Sequence, residues 1–337
     1  MSEIIRVGLD TSKHVFQLHG VDAQEKVVLR RQLRRGEMER FFTALAPTVI
    51  GLEACGASHH WARVLSAMGH EVRLLPPQYV KPYVKRGKSD SLDAEAICEA
   101  MSRPSMSFVP VKTREQQAGA MLLTVRDGLV KQRTMLINAI RGHAAEFGVT
   151  AAKGACRVRE VLARAEAELP ALAFRLLSLL GAQLEAVEAA LKAADAELRA
   201  WHRSNELSRR LAGIPGIGPI GAMALALRVP DPAVFRSARG FAAWTGLTPR
   251  LSGTAGKQRP GHISKAGDQT LRRLLVLGAT AMIRRAKAGH GSPWLTGLLA
   301  RKPAKVAAIA LANKLARIAW AMMISGEDYR RGAPVAA

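Results

Sequence analysis

Short apolar runs broken by polar turns fill the first hundred residues. Residues 4–9 (IIRVGL) end at Asp10, and 15–19 (VFQLH) and 26–33 (KVVLRRQL) flank a polar turn at 21–25. These read as strands, because a half-buried strand alternates apolar and polar positions and is bounded by turn residues. Residues 37–45 have helical spacing, 48–53 (TVIGLE) is a buried strand ending at an acid, and 59–68 is a helix stopped by Gly69. A strand at 71–75 closes at Pro76-Pro77, and 90–100 is helical. Strands first, then alternating helix and strand, predict an α/β layer with a mixed sheet.

From about Glu115 the pattern changes. Residues 115–147 and 157–203 are Ala-, Leu-, Arg- and Glu-rich, with apolar positions recurring every three and four. After Pro170 that pattern continues to 203, about nine turns at 3.6 residues per turn. A helical hairpin or coiled coil is expected, acting as a spacer or dimerisation element. Beyond Ser204 come LAGIPGIGPIGAMALAL (211–227), a Trp/Gly/Pro-rich loop (240–267), helices from about 269 to 324, and a frayed tail at 330–337. The expected division is 1–114, 115–205 and 206–330, the last mostly α.

Charge separates these parts. The chain of 337 residues carries 50 Lys+Arg against 27 Asp+Glu. Residues 1–115 hold 17 basic and 13 acidic side chains, 116–205 hold 12 and 9, and 206–337 hold 21 and 5. A field that dense attracts polyphosphate by counterion release, so nucleic acid is the expected partner of the last part. No run of about 18 uncharged apolar residues argues for a membrane span. The opening MSEIIRVGLDTS lacks the pattern of a secretion signal. The three cysteines (Cys55, Cys98, Cys156) have no C-x-x-C spacing, which suits a reducing cytoplasm better than a disulfide or zinc framework.

Four acids stand where a RuvC/RNase H-type nuclease needs them. Asp10 ends the first strand in G-L-D-T-S-K, and Glu53 ends the strand T-V-I-G-L-E. Asp90 and Asp93, in K-S-D-S-L-D-A, are three apart and share one face of a helix start. Two-metal phosphodiester cleavage needs several carboxylates converging on Mg²⁺, which prefers hard oxygen ligands. Each acid also has a structural explanation: a turn residue after a strand, or an N-cap in the case of Asp90. The basic run Lys81, Lys85, Arg86 and Lys88 holds substrate phosphates or is a solvated loop.

The segment around Gly213, Pro215, Gly216 and Gly218 resembles a helix-hairpin-helix DNA-binding motif. Its glycines let backbone approach a phosphate, and the next helix aims N–H groups at it. A tight helix–helix turn without ligand is the alternative. The stretch from Phe241 to Leu275 is rich in Gly, hydroxyl and cationic residues, so any chemistry there calls for a hydroxyl nucleophile among cations. A basic loop gripping phosphate is the plainer alternative. The candidate nucleic-acid contacts are Gly213, Gly216, Gly218, Arg250, Lys257, Arg259, Lys265, Arg272 and Arg273.

Together G-L-D-T-S-K, G-L-E-A-C-G, K-S-D-S-L-D-A, Q-R-T-M-L-I-N-A-I-R-G-H, the Gly-Pro hairpin and G-L-T-P-R…G-K…G-H-I-S-K-A-G-D…L-R-R-L-L span residues 4–285. In this order they resemble the insertion-sequence transposases of the "one-ten" family and its "eleven-eleven" subgroup. The resemblance implies a RuvC-like DEDD domain, a coiled-coil insert and a C-terminal transposase domain. It gives Asp10, Glu53, Asp90 and Asp93 as the acidic positions holding Mg²⁺. It further implies site-specific DNA recombination guided by a structured noncoding RNA, oligomeric assembly, and a C-terminal serine forming a covalent phosphoserine. Here the loop reads Ser252-Gly253-Thr254-Ala255-Gly256-Lys257, so the family's serine position falls on Gly253. Ser252 is the expected nucleophile, with Thr254 as substitute and Ser264 third. A Holliday-junction-type endonuclease using the carboxylates alone, or a non-enzymatic nucleic-acid-binding protein, would share parts of this pattern.

Overall fold

The computed structural model describes residues 3–85, 90–254 and 257–330, with backbone alone at 254, 257, 258 and 260. The chain forms two compact units, residues 1–113 and 114–337. Unit 1 is built on a five-stranded mixed sheet. Its strands are β1 (Arg6–Thr11), β2 (Val15–Val21), β3 (Val27–Arg34), β4 (Val49–Glu53) and β5 (Glu71–Leu75), in the order β3-β2-β1-β4-β5. The first three pair antiparallel, while β4 and β5 run parallel to β1. Helices α1 (Met38–Ala44) and α2 (Ser58–Ala67) make the crossovers.

Strand alternation decides the two faces. Val7, Leu9, Phe16, Leu18 and Leu33 point to one side, where they bury against Phe42, Trp61 and Leu65. The intervening residues face the other side, where α4 (Asp90–Ala100) follows the short turn α3 (Pro77–Val80). Ala96, Ile97, Ala100 and Met101 there pack with Leu75 and Val80. Gly8 and Gly51 let α4 lie almost on the backbone. A β-carbon on Gly8 would lie 2.1 Å from the Ala94 carbonyl oxygen, and one on Gly51 would lie 2.3 Å from Met101 Sδ.

Unit 2 begins with α5 (Arg114–Glu146), followed by α6 (Val158–Glu168) and α7 (Ala171–Ser204). Pro170 divides residues 157–203 into two helices, because its preset φ fits the start of a helix and its missing N–H cannot continue one. Helices α5 and α7 run antiparallel: Arg126 near the start of one pairs with Asp195 near the end of the other. At the opposite end Leu136 and Ile140 pack with Leu177 and Leu184. Then follow α8 (Glu206–Ala212), α9 (Pro219–Arg228), α10 (Ala238–Trp244), strands β6 (Pro249–Thr254) and β7 (Lys257–Ile263), α11 (Gln269–Arg285), α12 (Pro293–Arg301) and α13 (Ala304–Ser325). Leu123 and Leu198 enter the same core as the C-terminal helices.

By length and composition α13 is apolar enough to cross a membrane. In this fold it is a core helix, with Ala307, Leu311, Ala312, Leu315 and Ala319 buried. The segment 240–267 differs from the loop its Gly and Pro content suggests. Most of α10 lies within it, and β6 and β7 form an antiparallel hairpin. A two-stranded ribbon with polar residues on both faces carries no apolar alternation to betray it. The expected fraying at 330–337 falls almost wholly outside the described residues.

Candidate functional site

Asp10 is the penultimate residue of β1, on the α4 side of the sheet. The pairing of Leu9 with Leu52 sets Glu53 beside it at the end of β4. Asp90 and Asp93 lie in the first turn of α4. Carboxylate oxygens of Asp10, Asp90 and Asp93 come within 4.8 Å of one another. Glu53 is outside that tightest trio but within electrostatic reach of Asp10 and Asp93.

The electrostatics are those of crowded like charges. Burial, then Asp93, Asp90 and Glu53, push the Asp10 carboxyl up to about 6 from its ordinary 3.8. Glu53 is raised by burial and then by Asp93. Among the described residues no lysine or arginine pairs with any of the four. Such a cluster raises the energy of its own ionised form, and a hard divalent cation relieves it. The donor set, carboxylate oxygens only, fits that kind of ion.

Lys85, from the basic run, is ion-paired to Glu95 of α4. Lys81 lies in a short helical turn, and Arg86 and Lys88 are outside the described residues. Gly8 and Gly51 are positioning residues that carry no chemical side chain of their own. Their signal was present, since each stands two residues before a strand-ending acid, in G-L-D and G-L-E.

In unit 2, residues 213–218 join α8 to α9. Gly216 has φ +93°, and α11 comes so close that a β-carbon on Gly278 would lie 1.8 Å from the Gly216 carbonyl oxygen. This glycine is therefore explained by the tight turn and its seat on α11. Gly213 approaches the Arg210 carbonyl, whereas Gly218, the N-cap of α9, faces open space.

Ser252 lies in β6, exposed and directly opposite Arg259 of β7, and its hydroxyl is 3.5 Å from the Arg259 carbonyl oxygen. Arg250 donates to the Ser264 carbonyl oxygen, and the Ser264 hydroxyl accepts from Ala266 N–H. Lys265 is exposed with φ 55°. The side chains of Thr254 and Lys257 lie outside the described ones. Arg272 is spent inside the protein, donating to the carbonyls of Thr245 and Ala266. Arg273 grips both oxygens of Asp127. The structure thus gathers the four acids in one place and Ser252 with Arg259 in another, and it ties Arg272 and Arg273 into the fold.

Comparison with known proteins gives two family matches. Residues 7–148 match a transposase family described as DEDD_Tnp_IS110, and residues 208–292 match the transposase IS116/IS110/IS902 family. A Sinorhizobium fredii protein named "Putative transposase y4pF/y4sB" is 56% identical over 98% of this chain and 87% of its own length. The transposase for insertion sequence element IS1111A of Coxiella burnetii is 41% identical, over 99% of this chain and 93% of its own. The transposase for IS1328 of Yersinia enterocolitica is 39% identical, over 98% of this chain and all of its own.

Proposed function

The chain belongs to the IS110 family of insertion-sequence transposases, enzymes that cut and rejoin DNA, and from that premise we propose how its residues divide the work. Asp10, Glu53, Asp90 and Asp93 hold Mg²⁺. The observation that carries this is the convergence of three carboxylates, Asp10 and Asp93 half-buried and Asp90 exposed, with Glu53 at their side and no lysine or arginine paired to them among the described residues. Bound there, the metal supplies electrophilic polarisation of a phosphodiester. Asp10 and Glu53 fix the strand side of the site, and Asp90 and Asp93 the helix side.

Ser252 is the nucleophile in this reading. Its Oγ forms a bond to phosphorus as the bond to the leaving deoxyribose oxygen breaks, and the serine proton passes to that oxygen. Attack by a strand-end hydroxyl reverses the step and rejoins DNA. Arg259, across the ribbon from Ser252, brings a guanidinium to the charge that builds on the phosphoryl oxygens. The open side of Gly218 and the first turn of α9 suit contact with a duplex backbone, as a helix-hairpin-helix does. The 21 basic residues after position 205 suit a nucleic-acid partner, and a structured guide RNA pairing with both DNAs is what the family resemblance adds.

Assembly as a homo-oligomer is supported by α7. Leu172, Leu176 and Leu179, spaced four and three apart, are 61%, 54% and 62% exposed on the face away from α5. A cytoplasmic place of action goes with DNA as substrate and three free cysteines.

The test is excision of the element in cells, together with a gel assay for protein–DNA adducts. Asp93→Asn should abolish both cleavage and adduct while nucleic-acid binding persists. Ser252→Ala should abolish the adduct and, with it, excision. Wild-type excision by the first variant overturns the metal site, and an adduct retained by the second moves the nucleophile elsewhere.

A further inference from the structure

On the α4 side of the sheet, the part over β2 and β3 carries a polar band that leads away from Asp10. Strand register puts Asp10, Gln17 and Gln32 in one row across three strands, and Gly8, His19 and Arg30 in the next. Arg34 lies on the same side, two residues beyond Gln32. His19 of that row is buried, and burial holds its imidazole below the ordinary value, with Glu95 of α4 and Arg30 among the charges that face it. Neighbouring strands are about 4.8 Å apart, so the row runs about 10 Å from Asp10 to the sheet edge. Arg30 and Arg34 bracket its outer end, about 13 Å apart along β3, the rise of about four stacked nucleotides.

The two faces of β3 treat their arginines differently. On the far face Arg31 lies over the Phe41 ring, and Arg35, just past the strand, lies over Trp61. On the Asp10 face Arg30, Gln32 and Arg34 are exposed, Arg30 facing Glu95 and Lys85, and the Glu37 carboxylate accepting from Arg34 N–H. Edge strands carry charge to discourage pairing with other chains. That need does not distinguish one face from the other, and it does not call for a polar row ending at a carboxylate cluster.

We propose that this band is a track for the DNA strand to be cut, with Arg30 and Arg34 each contacting a phosphate at its outer end and Gln17 and Gln32 guiding the strand toward Asp10. The acids repel a polyanion, so a strand that approaches them needs compensating cations along its path, and Arg30 and Arg34 supply these on the same face of the sheet. The inference rests on the reading of the Asp10 cluster as the metal-dependent cutting site.

The experiment uses the full-length protein in EDTA and a single-stranded DNA oligonucleotide spanning the element end. Arg30→Gln/Arg34→Gln is compared with Arg31→Gln/Arg40→Gln, which removes equal charge from elsewhere. Each lost phosphate contact lowers the slope of log affinity against log salt by about 0.7 for a single strand, so the first pair should lose about 1.4. The second pair should keep the wild-type slope. A photo-crosslinking residue at position 32 should capture nucleotides within a few steps of the cut bond. An unchanged slope, an equal fall in both pairs, or a fall seen with RNA of the same sequence and not with DNA overturns the track. Cleavage by Asp93→Asn in Mg²⁺ is read separately. Its loss keeps the metal-site reading even if the track fails, and its persistence removes that reading whatever the slopes show.

Discussion

Gly8→Ala tests whether the seat of α4 on β1 sets the acidic cluster. The new β-carbon would lie 2.1 Å from the Ala94 carbonyl oxygen, 2.6 Å from Cys98 N and 2.8 Å from Cys98 Cβ. Two of these obstacles are helix backbone and cannot rotate aside. Restoring an ordinary 3.4 Å contact to the carbonyl requires a relative movement of about 1.3 Å. Overpacking of this kind costs about 1–3 kcal/mol, only partly offset by the lower entropy of the unfolded alanine chain. Asp93 immediately precedes Ala94, so the same movement carries its carboxylate away from Asp10. A misplacement of about 1 Å at reacting groups costs roughly a hundredfold in rate. Denaturant unfolding and excision frequency read the two effects separately. Gly51→Ala meets first the flexible end of Met101 and should lose less, and Gly36→Ala meets nothing within 4 Å and should behave as wild type. A stable and fully active Gly8→Ala protein would refute the reasoning. So would one that is destabilised yet fully active, because the seat of α4 would then not govern the acids.

Asp10 gives a pH signature. Its folded value of about 6 lies above its ordinary 3.8, so its contribution to stability is present below 3.8 and is lost as pH rises through about 6. In EDTA the melting temperature should fall between about pH 4 and 6.5 and level off above. Mg²⁺ should reverse the fall, and Asp10→Asn should flatten it; a wild-type profile in that variant would place the titration elsewhere. Leu176→Glu/Leu179→Glu should reduce self-association in sedimentation while leaving the melting transition intact, since both side chains are exposed. An unchanged sedimentation profile would remove α7 from the assembly surface.

Much of unit 1 is legible along the chain because its signals are local. Apolar runs of strand length ending at Asp10 and Glu53, and the three-residue spacing of Asp90 and Asp93, need no distant partner to be recognised. Pro170 likewise announces the break between α6 and α7 by its own chemistry. The β6–β7 ribbon was hidden because it rests on cross-strand pairing, as of Ser252 with Arg259, and no strand residue with a described side chain is buried to impose alternation.

Sequence alone determined which acids exist, where the strands and long helices fall, and that positive charge is concentrated after residue 205. Tertiary structure decided which of these groups act on each other. Asp10 and Asp93 are 83 positions apart, and only the close passage of α4 over Gly8 brings their carboxylates together. It also separated arginines that look equivalent in sequence: Arg273 is neutralised by Asp127, Arg31 is laid over Phe41, and Arg30 and Arg34 are left exposed on the face of the sheet that carries Asp10. The physical reason is that a side chain's charge and hydrogen-bonding capacity are fixed by its type. Whether they are spent inside the protein or remain for a ligand depends on neighbours that only packing supplies.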